Sequence, residues 1–319
     1  MRILLLVAAA SLAFSQTGQV WQLSHHKQGA EQAAAALRGV AEVRQAAADA
    51  ASGAVTVDGT PAQLAVAGWL FERLNAPAKQ PGAHEYRPPA AGDDVVRVFY
   101  LDRAGSEQAL REAVVTLRMV GAIRRAFPYS PLDAVAVRGS GREIALAAWI
   151  IDRLDGARSP GSLAYKLPDD EVIGYFEVSH AQTPRDIQEI VTLIRAVADI
   201  QRANACQAHR AVMARAPAER MALAAWLVAG LDRPAATAED RAARHEYRLL
   251  TGPDNMVRVF YLPPGLSEKE YQETVTRVRR NAGTPRMFVY SALRAMAVRG
   301  TVGQLATAER ALEELSALK

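Results

Sequence analysis

His84-Glu85-Tyr86-Arg87 and His245-Glu246-Tyr247-Arg248 are the segments of this chain whose residue types first invite a chemical reading. A His-Glu pair belongs to zinc-dependent hydrolysis when a second His follows one helical turn later, so that both imidazoles reach one metal. The residues at that spacing are Pro88 and Leu249, so neither copy completes the site. His25-His26 offers two imidazoles, but no Cys or carboxylate cluster lies nearby in sequence to fill a coordination shell. Gly300-Thr301-Val302-Gly303 has the Gly-x-x-Gly form of a nucleic-acid backbone clamp. It joins a strand to a helix, however, and has no basic cluster around it. No Gly-x-Ser-x-Gly nucleophile turn or phosphate-binding glycine loop occurs. These patterns assign no catalytic residue, no cofactor, no metal and no nucleic-acid partner.

The two His-Glu copies instead reveal how the chain is organised. They lie 161 residues apart. Val96-Arg97-Val98-Phe99-Tyr100-Leu101 recurs at the same distance as Val257 to Leu262, and Ala136-Val137-Arg138-Gly139 as Ala297 to Gly300. A shorter period lies inside this one, because Trp69, Trp149 and Trp226 sit in equivalent Trp-containing helices 80 and 77 residues apart. Four units follow, at 16–75, 84–155, 163–233 and 245–316, joined by Pro- and Gly-rich or Ala-rich linkers. Within a unit the pattern predicts strand, helix, strand, strand, helix. Val95 to Leu101 is a β-branched and aromatic run. Leu110, Val114 and Leu117 form one helical face. Ser140-Gly141-Arg142-Glu143 and Thr60-Pro61-Ala62-Gln63 are capping boxes that open a second helix. The fold class is α+β, a tandem array of four βαββα units. Each unit is expected to have a three-stranded sheet with two helices on one face.

Composition agrees with a globular chain: 319 residues, 50% hydrophobic, 23% charged, with a formal net charge of +4 spread along the sequence. Met1-Arg2, the apolar run from Ile3 to Ala10, and small residues up to Ser15 have the order of a secretory signal, with cleavage expected near Ser15. That run is too short to span a bilayer, and no later segment approaches a spanning length of apolar residues. The expected location is therefore periplasmic or secreted, with no transmembrane segment in the mature chain. Cys206 is the single cysteine, so no disulfide forms within the chain. It aligns with Tyr129 and Tyr290 and is expected in a strand.

Val137-Arg138-Gly139-Ser140 followed by Ile144 to Asp155 resembles the ring-building N-terminal domains of bacterial secretins. So does Val298-Arg299-Gly300-Thr301 followed by Leu305 to Leu315, and Val57 to Asn75 is a looser match. The resemblance extends over all four units. It implies a non-enzymatic periplasmic module that binds a protein partner in the envelope or associates with itself. Secretins continue into a channel domain of amphipathic strands. No such segment follows the fourth unit before Lys319, so the resemblance does not carry a pore function. The alternative is an envelope ligand-binding protein that uses a groove between units for a glycan or lipid headgroup.

The second helix of each unit carries a clue to packing. With Ile144, Ala148, Ile151 and Leu154 facing the sheet, Leu146 and Trp149 lie on the opposite side. Val66 and Trp69 repeat this second apolar face in unit one, as do Leu223 and Trp226 in unit three. Unit four has Thr307 and Arg310 there. A helix apolar on both faces is buried on both, and the last unit of an array has no following neighbour to bury it. The expectation is that the three tryptophans and Val66, Leu146 and Leu223 pack against the next unit's first strand or linker. Exposed tryptophans would instead mark a partner-binding hot spot. Arg97, Arg138, Arg215, Arg258 and Arg299 recur as well, and are expected as charged guards on exposed sheet edges.

Overall fold

The computed structural model describes residues 18–317 apart from positions 81, 83, 90, 91, 104, 157–162 and 264. The expected signal segment and its cleavage point lie outside the described residues. Unit one comprises β1 (Gln19–Gln22), α1 (Ala30–Val40), β2 (Gln45–Asp49), β3 (Ala54–Asp58) and α2 (Pro61–Leu74). Unit two comprises β4 (His84–Tyr86), β5 (Asp94–Tyr100), α3 (Glu107–Met119), β6 (Arg125–Tyr129), β7 (Ala134–Ser140) and α4 (Gly141–Leu154). Unit three comprises β8 (Ala164–Lys166), β9 (Glu171–Glu177), α5 (Pro184–Val197), β10 (Arg202–Cys206), β11 (Ala211–Pro217) and α6 (Ala218–Leu231). A short linker helix α7 (Ala238–Ala242) precedes unit four. That unit comprises β12 (His245–Arg248), β13 (Met256–Tyr261), α8 (Glu268–Ala282), β14 (Met287–Tyr290), β15 (Ala295–Gly300) and α9 (Val302–Ala317).

The sheets are antiparallel, with orders β1-β3-β2, β4-β5-β7-β6, β8-β9-β11-β10 and β12-β13-β15-β14. The three-stranded expectation describes unit one. In units two to four a fourth, short strand is added at the edge, and the His-Glu-Tyr segments form two of these. Glu85 stands directly across from Arg97, and Glu246 across from Arg258, so each pair meets on one face of the sheet. The second helices begin where their caps place them. The Thr60 and Ser140 hydroxyls each accept the backbone N–H three residues on, whereas α6 starts at Pro217 with no side-chain cap.

Strand composition explains how the units stack. In β7, Ala134 to Val137 are all buried, as are Ala211 to Ala214 in β11 and Ala295 to Val298 in β15. A strand buried on both faces needs a cover on each. One cover is the unit's own helix pair. The other is the helix pair of the preceding unit. Leu37 and Leu70 of unit one share a core with Val96, Val98, Ala134 and Ala136 of unit two. The helices of unit two share one with Ile173, Cys206, Ala211 and Met213, and those of unit three with Val257, Val259, Ala295 and Ala297. Sheets and helix layers therefore alternate along the chain, and three joints seal the layers together. The strand face toward the preceding helices is rich in Ala, which lets those helices approach closely. The face toward the unit's own helices carries Val135 and Val137, or Met296 and Val298. Among the described residues, only unit one leaves a sheet face open. There β3 buries Val55 and Val57, while Thr56 points to solvent.

Candidate interaction site: the joints between units

Each joint has two halves. In the first, the tryptophan of the second helix meets a tyrosine of the next unit's opening strand. Ring centroids are 5.7 Å apart for Trp69 and Tyr86, 5.6 Å for Trp149 and Tyr165, and 5.5 Å for Trp226 and Tyr247, all tilted. These tryptophans are half-buried. Val66, Leu146 and Leu223, one turn earlier, are fully buried in the cores that run into the next sheet. Tyr100 and Tyr261 reach back across the same seam, where their hydroxyls donate to the carbonyls of Arg73 (3.3 Å) and Gly230 (2.6 Å). Thr307 is half-exposed and Arg310 exposed on the outer side of α9.

The second half is one that sequence reasoning missed. The first helix of each unit lies on the far edge of the next sheet: α1 on β6, α3 on β10 and α5 on β14. A polar residue on each helix clamps the turn that follows that edge strand. Ser130 donates its N–H to Gln32 Oε1 (2.7 Å), and Ala208 its N–H to Glu112 Oε2 (3.0 Å). Ser291 donates its N–H to Glu189 Oε2 (2.8 Å) and its hydroxyl to Glu189 Oε1 (3.0 Å). Size matching adds to the clamp. A Cβ placed on Gly39 of α1 would lie 1.8 Å from the tip of the Phe127 ring, so only glycine fits there. By alignment, the corresponding pairs are Met119 with Asn204 and Ala196 with Phe288.

The recurring arginines are not edge guards. Arg138 and Arg299 lie on the interior strands β7 and β15, with side chains 12% and 7% exposed. Arg138 donates from Nη1 to the Val40 carbonyl (3.0 Å), and Arg299 from Nη1 to the Val197 carbonyl (3.2 Å). Each thus latches the last turn of the preceding unit's first helix, where unpaired carbonyls carry partial negative charge. Asp94 holds Arg138 from its own sheet (2.6 Å), and the Asp254 carbonyl holds Arg299 (2.9 Å). Burial pulls the Arg299 guanidinium below its ordinary value, against the opposing pull of Asp254. Arg97 and Arg258 are also on interior strands, paired with Glu85 (3.4 Å) and Glu246. Arg215 pairs with Glu171 and Asp169 inside unit three, so the middle joint uses no latch of this form.

The middle joint is built around Cys206, the last residue of β10, where the outer joints have Tyr129 and Tyr290. Its thiol is fully buried, with Thr116 Oγ1 at 3.4 Å, and Asn204 donates to that hydroxyl at 2.9 Å. Burial pushes the thiol up to about 12, so it stays protonated and unreactive. Burial likewise raises the phenols of Tyr129 and Tyr290.

The histidines face backbone. His25 Nδ1 meets the Asn75 carbonyl (2.9 Å), and His26 Nε2 that of Ala76 (2.9 Å). His84 Nε2 meets the carbonyl of Gln80 (3.1 Å), and His245 Nε2 that of Asp240 (3.0 Å). Units one to three share a clasp: Ser24, Asp102 and Ser179 donate their N–H groups to the side chains of Asn75 (2.9 Å), Asp155 (2.9 Å) and Asp232 (2.7 Å), and in units one and three the following histidine approaches the carbonyl of the same residue. Among the described residues, no group of three or more His, Cys, Asp or Glu is placed to hold a metal ion, and no helix is long and apolar enough to cross a membrane.

No family model matches the chain, and no curated protein does. Among solved structures, ExeD of Aeromonas hydrophila is similar to 70% of this chain at 16% identity, with a TM-score of 0.17. The match spans 41% of that protein's length. So loose a superposition carries no argument about fold or function. The fold rests on the strand orders and joints themselves.

Proposed function

We propose that this chain is an exported, non-enzymatic assembly module that binds a protein partner in the bacterial envelope. One observation carries this reading: many of the recurring polar and aromatic residues fasten one unit, or the linker that leads into it, to the next. His84 and His245 hold carbonyls, Arg138 and Arg299 latch helices, and Gln32, Glu112 and Glu189 clamp turns. The signal-like N-terminus and the resemblance of the units to secretin N-terminal domains support export and an envelope setting.

The two ends of the stack lack joint anchors. Unit one has Ala47, Asp49 and Asp58 where unit two has Phe127, Tyr129 and Arg138, and α8 has Arg277 and Arg280 where α5 has Leu193 and Ala196. Polar ends are how tandem arrays stop. A partner is therefore expected along the flanks. Val115 and Met119 form an exposed apolar pair there on α3, 42% and 37% accessible. The test places photo-crosslinking residues at Val115, Leu163 and Val20 in the exported protein and measures the mass and identity of the adducts. Adducts to one defined partner from Val115 or Leu163, and not from Val20, are expected. A monomer in the envelope fraction that yields no adduct at any position sinks the proposal.

A further inference from the structure

Each sheet ends on one side in the strand that follows the unit's first helix: β2, β6, β10 and β14. An edge strand presents unpaired N–H and C=O groups to which another extended chain can add. Units one to three close this edge with one device. An arginine in the last turn of the first helix donates to a carbonyl near the start of the edge strand. Arg38 reaches Ala46, Arg118 reaches Ala126 (2.6 and 3.1 Å) and Arg195 reaches Ala203 (2.6 Å). In unit two, Pro128 also removes an N–H from the strand.

Unit four lacks the device. Met287 and Arg279 stand where unit three has Ala203 and Arg195. Yet α8 makes little contact with β14, whereas α1, α3 and α5 pack along their own edge strands. The Arg299 N–H donates to the Arg286 carbonyl (2.8 Å), so by alternation the backbone groups of Met287 and Val289 turn away from β15. Among the described residues those groups have no hydrogen-bond partner. Met287 is only 4% exposed, and a carbonyl withdrawn from water is costly to leave unpaired. Phe288 and Val289 beside it are half-buried. The neighbouring helix end is basic. Arg277, Arg279 and Arg280 are exposed and, among the described residues, form no ion pair; α8 has no acidic residue after Glu273. Asp199 and Asp254 are already held by Arg220, Arg286 and Arg299. Gln304 donates to the Gly283 carbonyl (3.1 Å), so this end of α8 meets the start of α9, and the glutamates of α9 lie further along that helix.

We propose that the open edge of β14 takes an extended acidic segment of a protein partner as an added strand, its backbone paired with Met287 and Val289 and its carboxylates met by the α8 arginines. This rests on the protein-binding reading above and gives it a place and a recognition chemistry. Titration of the full chain with a blocked eight-residue peptide of alternating glutamate and valine tests it. One peptide per chain is expected, and exchange of the Val289 amide should slow at least about tenfold at saturation. The fully N-methylated peptide keeps the charges and loses the donors. It should bind at least about tenfold more weakly, roughly what one or two backbone hydrogen bonds supply. Glutamine in place of glutamate should weaken binding about tenfold as well. Val289→Pro copies Pro128 at the equivalent position of unit two and should weaken binding at least about tenfold. No binding, equal binding of the methylated peptide or unchanged exchange at Val289 overturns the proposal, whether or not the proline variant folds. Crosslinking in the envelope does not depend on the peptide, so the two readings fail separately.

Discussion

Gly39→Ala at the first joint separates two opposed effects. Gly39 lies inside α1, and replacing a helical glycine with alanine ordinarily stabilises by about 0.5–1 kcal/mol. Here the added Cβ would fall 1.8 to 2.7 Å from Cζ, Cε2 and Cε1 of Phe127, all at the ring tip. The ring must shift and loosen the joint, and overpacking of this kind costs about 1–3 kcal/mol. The net expectation is a loss on the order of 1 kcal/mol, opposite in sign to the helix effect. Phe127→Leu removes the atoms in conflict. In that background Gly39→Ala should stabilise by about 0.5–1 kcal/mol, giving a coupling energy of roughly 1–3 kcal/mol between the two sites. Urea unfolding followed by tryptophan fluorescence reads all four members of the cycle. If Gly39→Ala stabilises the chain equally in both backgrounds, α1 does not rest on β6 as described.

Three further outcomes are expected. Trp226→Ala, which removes a half-buried ring from Tyr247, should cost about 2 kcal/mol, whereas Arg310→Ala at the equivalent exposed position should stay within about 0.5 kcal/mol; thermal melts of the two variants compare them. The Cys206 thiol should resist alkylation at pH 8 in the native chain and react only at the rate of unfolding, which a mass-spectrometric time course measures. Burial holds His209 below its ordinary value of 6.5, against the pull of Glu112 and Asp155. Its contribution to stability is therefore complete above pH 6.5 and is lost as pH falls through the lower folded-state value. His209→Gln should flatten that part of the pH–stability curve, and a variant with the unchanged slope would show that His209 does not cause it.

The repeat made the unit legible in sequence. Caps at Thr60 and Ser140, the strand run from Val95 to Leu101 and the two-faced helices all follow local rules that a repeat displays several times. The first-helix half of each joint was hidden because its contact positions are not an apolar stripe. Gln32, Glu112 and Glu189 resemble a solvated helix face, and Gly39 resembles a weak helix position, until the next unit's turn and ring are placed against them. Arg138 and Arg299 were misread for a related reason. Strand order is not written in a single segment, so an interior strand's arginine looks like an edge strand's. A signal was present all the same: Ala134 to Val137 and Ala295 to Val298 are apolar at every position, which is the mark of a sheet covered on both sides.

The joints also record how the chain grew. The first and third are alike in their small-residue and phenylalanine pairing, their arginine latch and their buried tyrosine, and the Ser-His segments of units one and three match as well. The middle joint shares none of these. That pattern is what copying a two-unit ancestor leaves behind. At the central seam Thr116, Asn204 and Cys206 hold one another by hydrogen bonds in place of the latch and the tyrosine.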